Sequence, residues 1–275
     1  MKRIIRATTI FLLLIFVLAL ASCGQSSTPA SGGNTGNAGT GGTAAKTVWE
    51  SVKEAGVITV GNSPDYEPFE FEDGQGNVTG FDIALLELIC GELGIKYELV
   101  NLSFENIETA VQNGQVNIGM SCFSITPERM ETFLFTIPYF SGGQAIAVNP
   151  GSGITGISDL AGKTITAGMG TSGMGAAEDN IPDANVVGMD NYALAFMQLK
   201  NKGCDAAVAD LPVTRKYAAK DGFLVLDEIL SYEDNAILVK KGNDDLVKAL
   251  NGAIQTLKDN GKIDALIDEW LVGEE

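Results

Sequence analysis

Histidine is absent from this 275-residue chain. Its absence removes Ser-His-Asp and Cys-His catalysis, and with them the commonest metal ligand. Positive charge is scarce too: 18 Lys and Arg stand against 35 Asp and Glu, for a formal net charge of −17. That balance repels phosphate backbones and argues against a nucleic-acid partner. Cysteine is also sparse. Apart from Cys23 near the N-terminus there are only Cys90, Cys122 and Cys204, an odd number with no evident disulfide framework. Cys90, in an apolar helical run, and Cys204, just before a strand, read as small core residues. What remains is globular in composition, 45% hydrophobic with 33 Gly, and long enough for one large or two small domains.

The first residues speak to the compartment. Lys2, Arg3 and Arg6 precede the apolar run IFLLLIFVLALA, which ends in small residues and Cys23. A basic start, an apolar core short for a membrane span and a small-residue end describe a secretory signal; the competing reading is a short transmembrane anchor. Residues 24–46, GQSSTPASGGNTGNAGTGGTAAK, carry almost no apolar side chains and cannot bury a core. As a flexible tether they would reach roughly 25–30 Å root-mean-square.

From Thr47 onward, short β-type runs alternate with helical ones. GVITVGN, KYELVNL and VNIGMS read as strands, and FEFEDGQGNVTG (69–80) as a turn-rich excursion. Ile83, Leu86, Ile89, Cys90 and Leu93 recur at helical spacing between Asp82 and Gly94, and FENIETAVQNG is a second helix closed by Gly114. A second series begins near SDLAGKTITAG: a strand, the Gly-rich turn and a helix, then ANVVGM, the helix NYALAFMQLKNKG, and the strand CDAAVAD. Strand–helix–strand units of this kind predict parallel sheets covered by helices. Near the end, Leu246, Leu250, Ala253, Ile254 and Leu257 make one apolar stripe. The apolar segments 143–149 and 235–241 are placed to cross between two α/β halves, with a ligand cleft between them.

The Gly-rich turn holds Gly168-x-Gly170-x-x-Gly173, with Asp190 at about the distance at which a dinucleotide fold holds its ribose. The spacing alone leaves two readings, a nucleotide loop or a helix N-terminus serving another anion.

The segments SCFSITPERMETFLFTIPYF, GFDIALLELICGELGI and GISDLAGKTITAGMGTSG, in their order and spacing, resemble the extracellular solute-binding proteins of family 3, amino-acid receptors of ABC importers. The resemblance covers about Trp49 to Leu271. It implies an α/β, type II periplasmic-binding-protein fold with two lobes joined by a two-segment hinge. Lobe 1 would be residues 47–142 and 235–275, and lobe 2 with the hinge segments 143–234. Leu20-Ala21-Ser22-Cys23 is similar to the bacterial lipoprotein box. That implies a signal peptide over 1–22, lipid on Cys23, a linker to residue 46, and an extracytoplasmic, lipid-anchored protein.

The resemblance also implies a site. Arg129 of SITPER would hold the ligand carboxylate with its planar fork, where the residue alone could equally be a surface Arg at a helix start. Ser124 would add a backbone N–H and a hydroxyl. Ser121 and Cys122 would line a strand end, with the Cys122 carbonyl accepting from the ligand ammonium. Asp210 would receive that ammonium from the other lobe, although by itself it could be a turn residue or helix cap. Thr171 and Ser172 would start a helix whose N–H groups face the carboxylate, an export-side role that leaves the nucleotide reading behind. Tyr66 and Phe104 would flank the ligand side chain.

Ser63 stands where several relatives carry Asp, and Gly168 where they carry larger or basic residues. The expectation is therefore a pocket short of charged side chains and a free amino acid with an uncharged side chain; inward-facing Asp65 or Glu67 would instead favour a basic one. The protein is expected to be a monomer that works with ABC permease subunits, without cofactor or metal and without enzymatic activity. Two alternatives remain. One is a cyclohexadienyl dehydratase-like enzyme on the same fold, with Glu178 or Asp179 as acids. The other is an amino-acid sensor for a membrane receptor.

Overall fold

Residues 46–272 are described by the structure, a computed structural model. The expected signal peptide, Cys23 and the linker up to residue 45 lie outside the described residues.

A capping box starts the folded part. The Thr47 side chain accepts from the Glu50 N–H, and Glu50 accepts from the Thr47 N–H, so α1 (Val48–Ala55) begins with two satisfied donors. The chain continues through β1 (Val57–Asn62) to three short strands, β2 (Asp65–Tyr66), β3 (Glu70–Glu72) and β4 (Val78–Thr79). These pair antiparallel, so the excursion expected at 69–80 is a hairpin. Its turn is tied by Asp73 Oδ1 accepting from the Gln75 and Asn77 N–H groups.

Next come α2 (Phe81–Leu93), β5 (Lys96–Asn101), α3 (Phe104–Asn113), β6 (Ile118–Gly119), α4 (Pro127–Thr132) and β7 (Phe133–Phe135). Gly94 and Gly114 end their helices in the left-handed conformation, as their positions in the sequence imply.

After β8 (Phe140–Val148) a second α/β series runs through β9 (Thr164–Gly168), α5 (Ser172–Asn180), β10 (Asn185–Met189), α6 (Tyr192–Lys200), β11 (Ala206–Asp210), α7 (Leu211–Asp221), β12 (Leu224–Val225) and β13 (Ser231–Asn235). The chain then returns to the first sheet with β14 (Leu238–Lys240) and finishes in α8 (Asp244–Asp259) and α9 (Lys262–Ile267).

Two sheets organise these elements into two lobes. The first has the order β5-β1-β6-β14-β7, and the second β10-β9-β11-β8-β12 with β13 also on β8. Both are mixed rather than parallel: β14 runs antiparallel to β6 and β7, and β8 antiparallel to β11. The strands that break the parallel pattern are those on either side of the chain's two passages between lobes, β8 after the first and β14 after the second. The stripe of Leu246, Leu250, Ala253, Ile254 and Leu257 is the buried face of α8. On the other face of the first sheet, α3 buries Ile107, Ala110 and Val111 with Phe123.

The crossing itself is shorter than expected. Segment 143–149 lies largely within β8, and Leu238–Lys240 is a strand of the first sheet. An unbroken apolar run suits a buried central strand as well as a crossover, and periodicity cannot separate them. The passage is instead a two-stranded ribbon that pairs Phe140 with Asn235, Ser141 with Asp234, Gly142 with Glu233 and Gly143 with Tyr232.

Candidate functional site

Ligand sites of open α/β sheets form beyond the carboxyl ends of parallel strands, where helix N-termini and short loops converge. Both sheets turn those ends toward a common cleft. Ser63 follows β1, Phe104 follows β5, Ser121 follows β6, Gly168 and Asp210 end β9 and β11, and Tyr192 follows β10. The cleft encloses about 460 Å³ between atoms, including the part open to solvent. Every cleft residue expected from the sequence lines it: Ser63, Tyr66, Phe104, Ser121, Cys122, Ser124 and Arg129 from the first lobe, and Gly168, Thr171, Ser172 and Asp210 from the second.

Arg129 lies in the first turn of α4, whose N-cap Thr126 accepts from the Arg129 N–H. Its side chain is buried, 7% exposed, so each guanidinium donor needs a partner. Nε donates to Glu108 at 2.8 Å, Nη1 to the Ser124 carbonyl at 3.1 Å, and Nη2 to the Gly170 carbonyl at 3.1 Å. Of the five N–H groups of a guanidinium, that leaves one on each terminal nitrogen. Phe104 and Phe123 stack at 4.7 Å, and the guanidinium carbon lies 5.5 and 5.0 Å from their centroids, which fixes its plane. This buried, oriented setting is not that of a surface Arg at a helix start.

Asp210 ends β11 and occupies the N-cap position of α7, yet its side chain makes no capping hydrogen bond. Oδ2 instead accepts from the Tyr66 hydroxyl at 2.5 Å across the cleft, and the Asp210 N–H donates to the same oxygen of Tyr66 at 2.9 Å. Oδ1 is buried without a hydrogen-bond partner. Burial pushes the carboxyl up to about 6, opposed by the Tyr66 hydrogen bond. An acid held this way gains most from a cation that reaches its free oxygen.

The Gly-rich loop explains itself in the same geometry. Gly170 has φ +74°, and a Cβ on Gly168 would lie 2.8 Å from the Tyr192 ring. Thr171 caps α5 by accepting from the Met174 N–H, so the first-turn N–H groups of Ser172 and Gly173 have no intrahelical partner. The Ser172 and Ser124 hydroxyls meet across the cleft at 2.9 Å.

Three details differ from expectation. The Cys122 carbonyl accepts from Asn235 Nδ2 at 2.9 Å, within the hinge, because Cys122 turns left-handed (φ 49°) and directs its carbonyl there. The pocket is not short of charged groups: Asp65, Glu70 and Asp190 line it as well. Asp65 accepts from Ser63 Oγ at 2.9 Å and from the Tyr192 N–H at 3.4 Å, and burial raises its carboxyl above the usual range. Glu67, the other inward candidate, pairs with Lys216 at 3.3 Å and does not line the cavity. Glu178 and Asp179, the acids an enzymatic reading would need, do not line it either.

The sequence reading missed Tyr192 and Glu108. Tyr192 stacks on Tyr66, with centroids 4.4 Å apart, and follows the N-cap Asn191 at the end of β10. A tyrosine at a strand-to-helix junction on the cleft side was the available signal. Glu108 lies within a helical run and carried none.

The chain is similar to the L-cystine-binding protein TcyJ of Escherichia coli, 28% identical over 225 residues that cover 80% of this chain and 84% of that one. It is also similar to the arginine-binding extracellular protein ArtP of Bacillus subtilis, 27% identical over 223 residues, 79% and 87% of the two chains. Among solved structures, the ancestral amino acid-binding protein AncCDT-1, a precursor of cyclohexadienyl dehydratase, superposes with a TM-score of 0.75 at 33% identity, covering 80% of this chain and 98% of that one. The family model that matches spans residues 58–273, and the chain therefore belongs to the bacterial extracellular solute-binding proteins, family 3.

Proposed function

We propose that this protein captures a free amino acid between its lobes and presents it to the permease of an ABC importer, acting as a binding protein and not as an enzyme. The observation that carries this reading is that Arg129 and Asp210 reach one cavity from opposite lobes, each with unspent hydrogen-bonding capacity. An α-amino acid offers each of them its opposite charge. The ligand would then stabilise the closed state more than the open one, which is the physical requirement for ligand-driven closure. The lobes would move as residues 47–142 with 235–275 against 143–234, bending in the Phe140–Gly143 and Tyr232–Asn235 ribbon.

The ligand side chain is best matched by a positive charge, a revision of the uncharged ligand inferred from Ser63 and Gly168. A zwitterion engages the free donors of Arg129 and the free oxygen of Asp210 but leaves the half-buried Asp65 uncompensated in the same cavity. A cationic arm reaching Asp65 removes that cost. A thermal-shift screen of the twenty amino acids tests both levels, since a ligand bound only by the folded state raises Tm. Arginine and lysine should give the largest shifts and leucine a smaller one. A larger shift with leucine would overturn the side-chain assignment, and protection by prephenate with none from any amino acid would overturn the binding reading.

Anchoring through lipid on Cys23 completes the proposal. Cys23→Ser should remove the diacylglycerol from the mature N-terminus; mass spectrometry that finds no lipid on the wild-type thiol contradicts it.

A further inference from the structure

At the cleft floor, the first lobe buries two neighbouring carboxyl groups, those of Glu70 and Asp82. Glu70 is 1% exposed and Asp82 is fully buried. Glu70 Oε1 accepts from the Ser121 hydroxyl at 2.7 Å. Asp82 Oδ2 accepts from the Cys122 N–H at 2.8 Å and from the Tyr139 hydroxyl at 3.0 Å. The two remaining oxygens, Glu70 Oε2 and Asp82 Oδ1, are both buried and neither has a hydrogen-bond partner.

We propose that Glu70 and Asp82 hold a single proton between Glu70 Oε2 and Asp82 Oδ1, and that this pair positions the first-lobe floor of the cleft. One shared proton satisfies both orphaned oxygens at once, whereas two ionised groups would leave neighbouring like charges buried away from bulk solvent. The charged and titratable groups facing the pair are Asp65 from β2, Cys122 from the segment after β6, and Tyr139 from the segment before β8, none of which is a cation. Burial and the neighbouring Asp82 push Glu70 well above the usual carboxylate range, and burial raises Asp82 as well, so the proton belongs to the pair, which titrates as a unit.

The consequence lies in what the pair touches. Ser121 Oγ donates to Glu70 and accepts from the Ser63 N–H at 3.2 Å, and Asp82 fixes the N–H of Cys122 in its left-handed conformation. Ser63, Ser121 and Cys122 all line the cleft. Tyr139, one residue before β8, binds the same Asp82 oxygen, so the chain of hydrogen bonds runs from the cleft floor to the start of the hinge. Glu70 and Asp82 are positioning residues that act through Ser121, Cys122 and Tyr139. This role rests on the solute-binding reading only for its use; the pair itself is testable without any ligand.

Infrared spectroscopy at neutral pH should show the carbonyl stretch of a protonated carboxyl in the wild type, and Glu70→Gln should abolish it. In NMR spectra, the amide resonances of Ser63, Ser121 and Cys122 should shift together as pH rises and the pair loses its proton. In Glu70→Gln, whose amide can donate to Asp82 and accept from Ser121, they should keep wild-type positions at neutral pH and stay still on titration, while Glu70→Ala should displace all three. A wild type without the protonated-carboxyl band would overturn the shared proton, whether a water or nothing lies between the oxygens. Displacement in Glu70→Gln as large as in Glu70→Ala, or the same titration in Glu70→Gln as in the wild type, would overturn the positioning role.

Discussion

Replacing Arg129 by alanine should raise the dissociation constant for the bound amino acid by roughly 10²–10³. A ligand carboxylate buried without a partner costs about 3–5 kcal/mol, and each 1.4 kcal/mol is tenfold in affinity. The effect is large because nothing else in the cleft replaces the cation: Arg129 is the positively charged side chain among the described residues that line it. Arg129→Lys should recover only part of the loss. A lysine keeps the charge, but it cannot donate at once to Glu108, to the Ser124 and Gly170 carbonyls and to both oxygens of a carboxylate. Titration calorimetry decides the matter, and unchanged affinity in Arg129→Ala would refute the role. The ligand-free melting temperature should be measured alongside, because the variant also leaves Glu108 unpaired.

Asp210→Asn carries the second large effect. Losing a charge-assisted contact to the ammonium should cost about 1.5–3 kcal/mol, roughly 10- to 100-fold in affinity. The loss should be much smaller for a ligand analogue without the amino group, since only the intact amino acid presents a cation there. Equal losses for both would contradict an ammonium contact.

The same residue sets a pH dependence whose sign follows from its environment. Burial raises Asp210 to about 6 in the ligand-free protein, and the bound ammonium favours its ionised form. Binding should therefore weaken as pH falls below about 6, by up to tenfold per pH unit from this one proton. Asp210→Asn should lose that share of the slope. Folding stability runs the other way. A folded carboxyl raised above its unfolded value binds a proton on folding, so its contribution is present below about pH 3.8 and is lost as pH rises toward about 6.

How much of this was legible in the sequence depended on the kind of signal. Helix ends were readable because Gly94 and Gly114 take a backbone conformation that other residues avoid, and the α8 stripe because burial enforces a 3.6-residue period. The crossing strands were placed less well. Residues 143–149 and 235–241 look alike in apolarity whether they bridge lobes or pair within a sheet, and pairing is a long-range property. In the site, residues carried by ordered motifs, such as Arg129, Ser124 and the 168–173 loop, were found together in the cavity. The charge of the pocket was left open between an uncharged lining and an inward-facing Asp65 or Glu67, because Ser63 could be seen to lack a carboxylate while the direction of Asp65, two residues on, is set by its contacts with Ser63 and with Tyr192 of the other lobe. The Glu70–Asp82 pair was hidden for the same reason: 12 positions separate the two residues, and only the hairpin and α2 bring them together.

The most direct test is a crystal structure of the protein with the amino acid that raises its melting temperature most. The account predicts the ligand carboxylate on the two terminal nitrogens of Arg129 and the ammonium on Asp210 Oδ1, with both lobes in contact with one molecule. A ligand seated with either charged end away from those groups, or bound to one lobe alone, would contradict it.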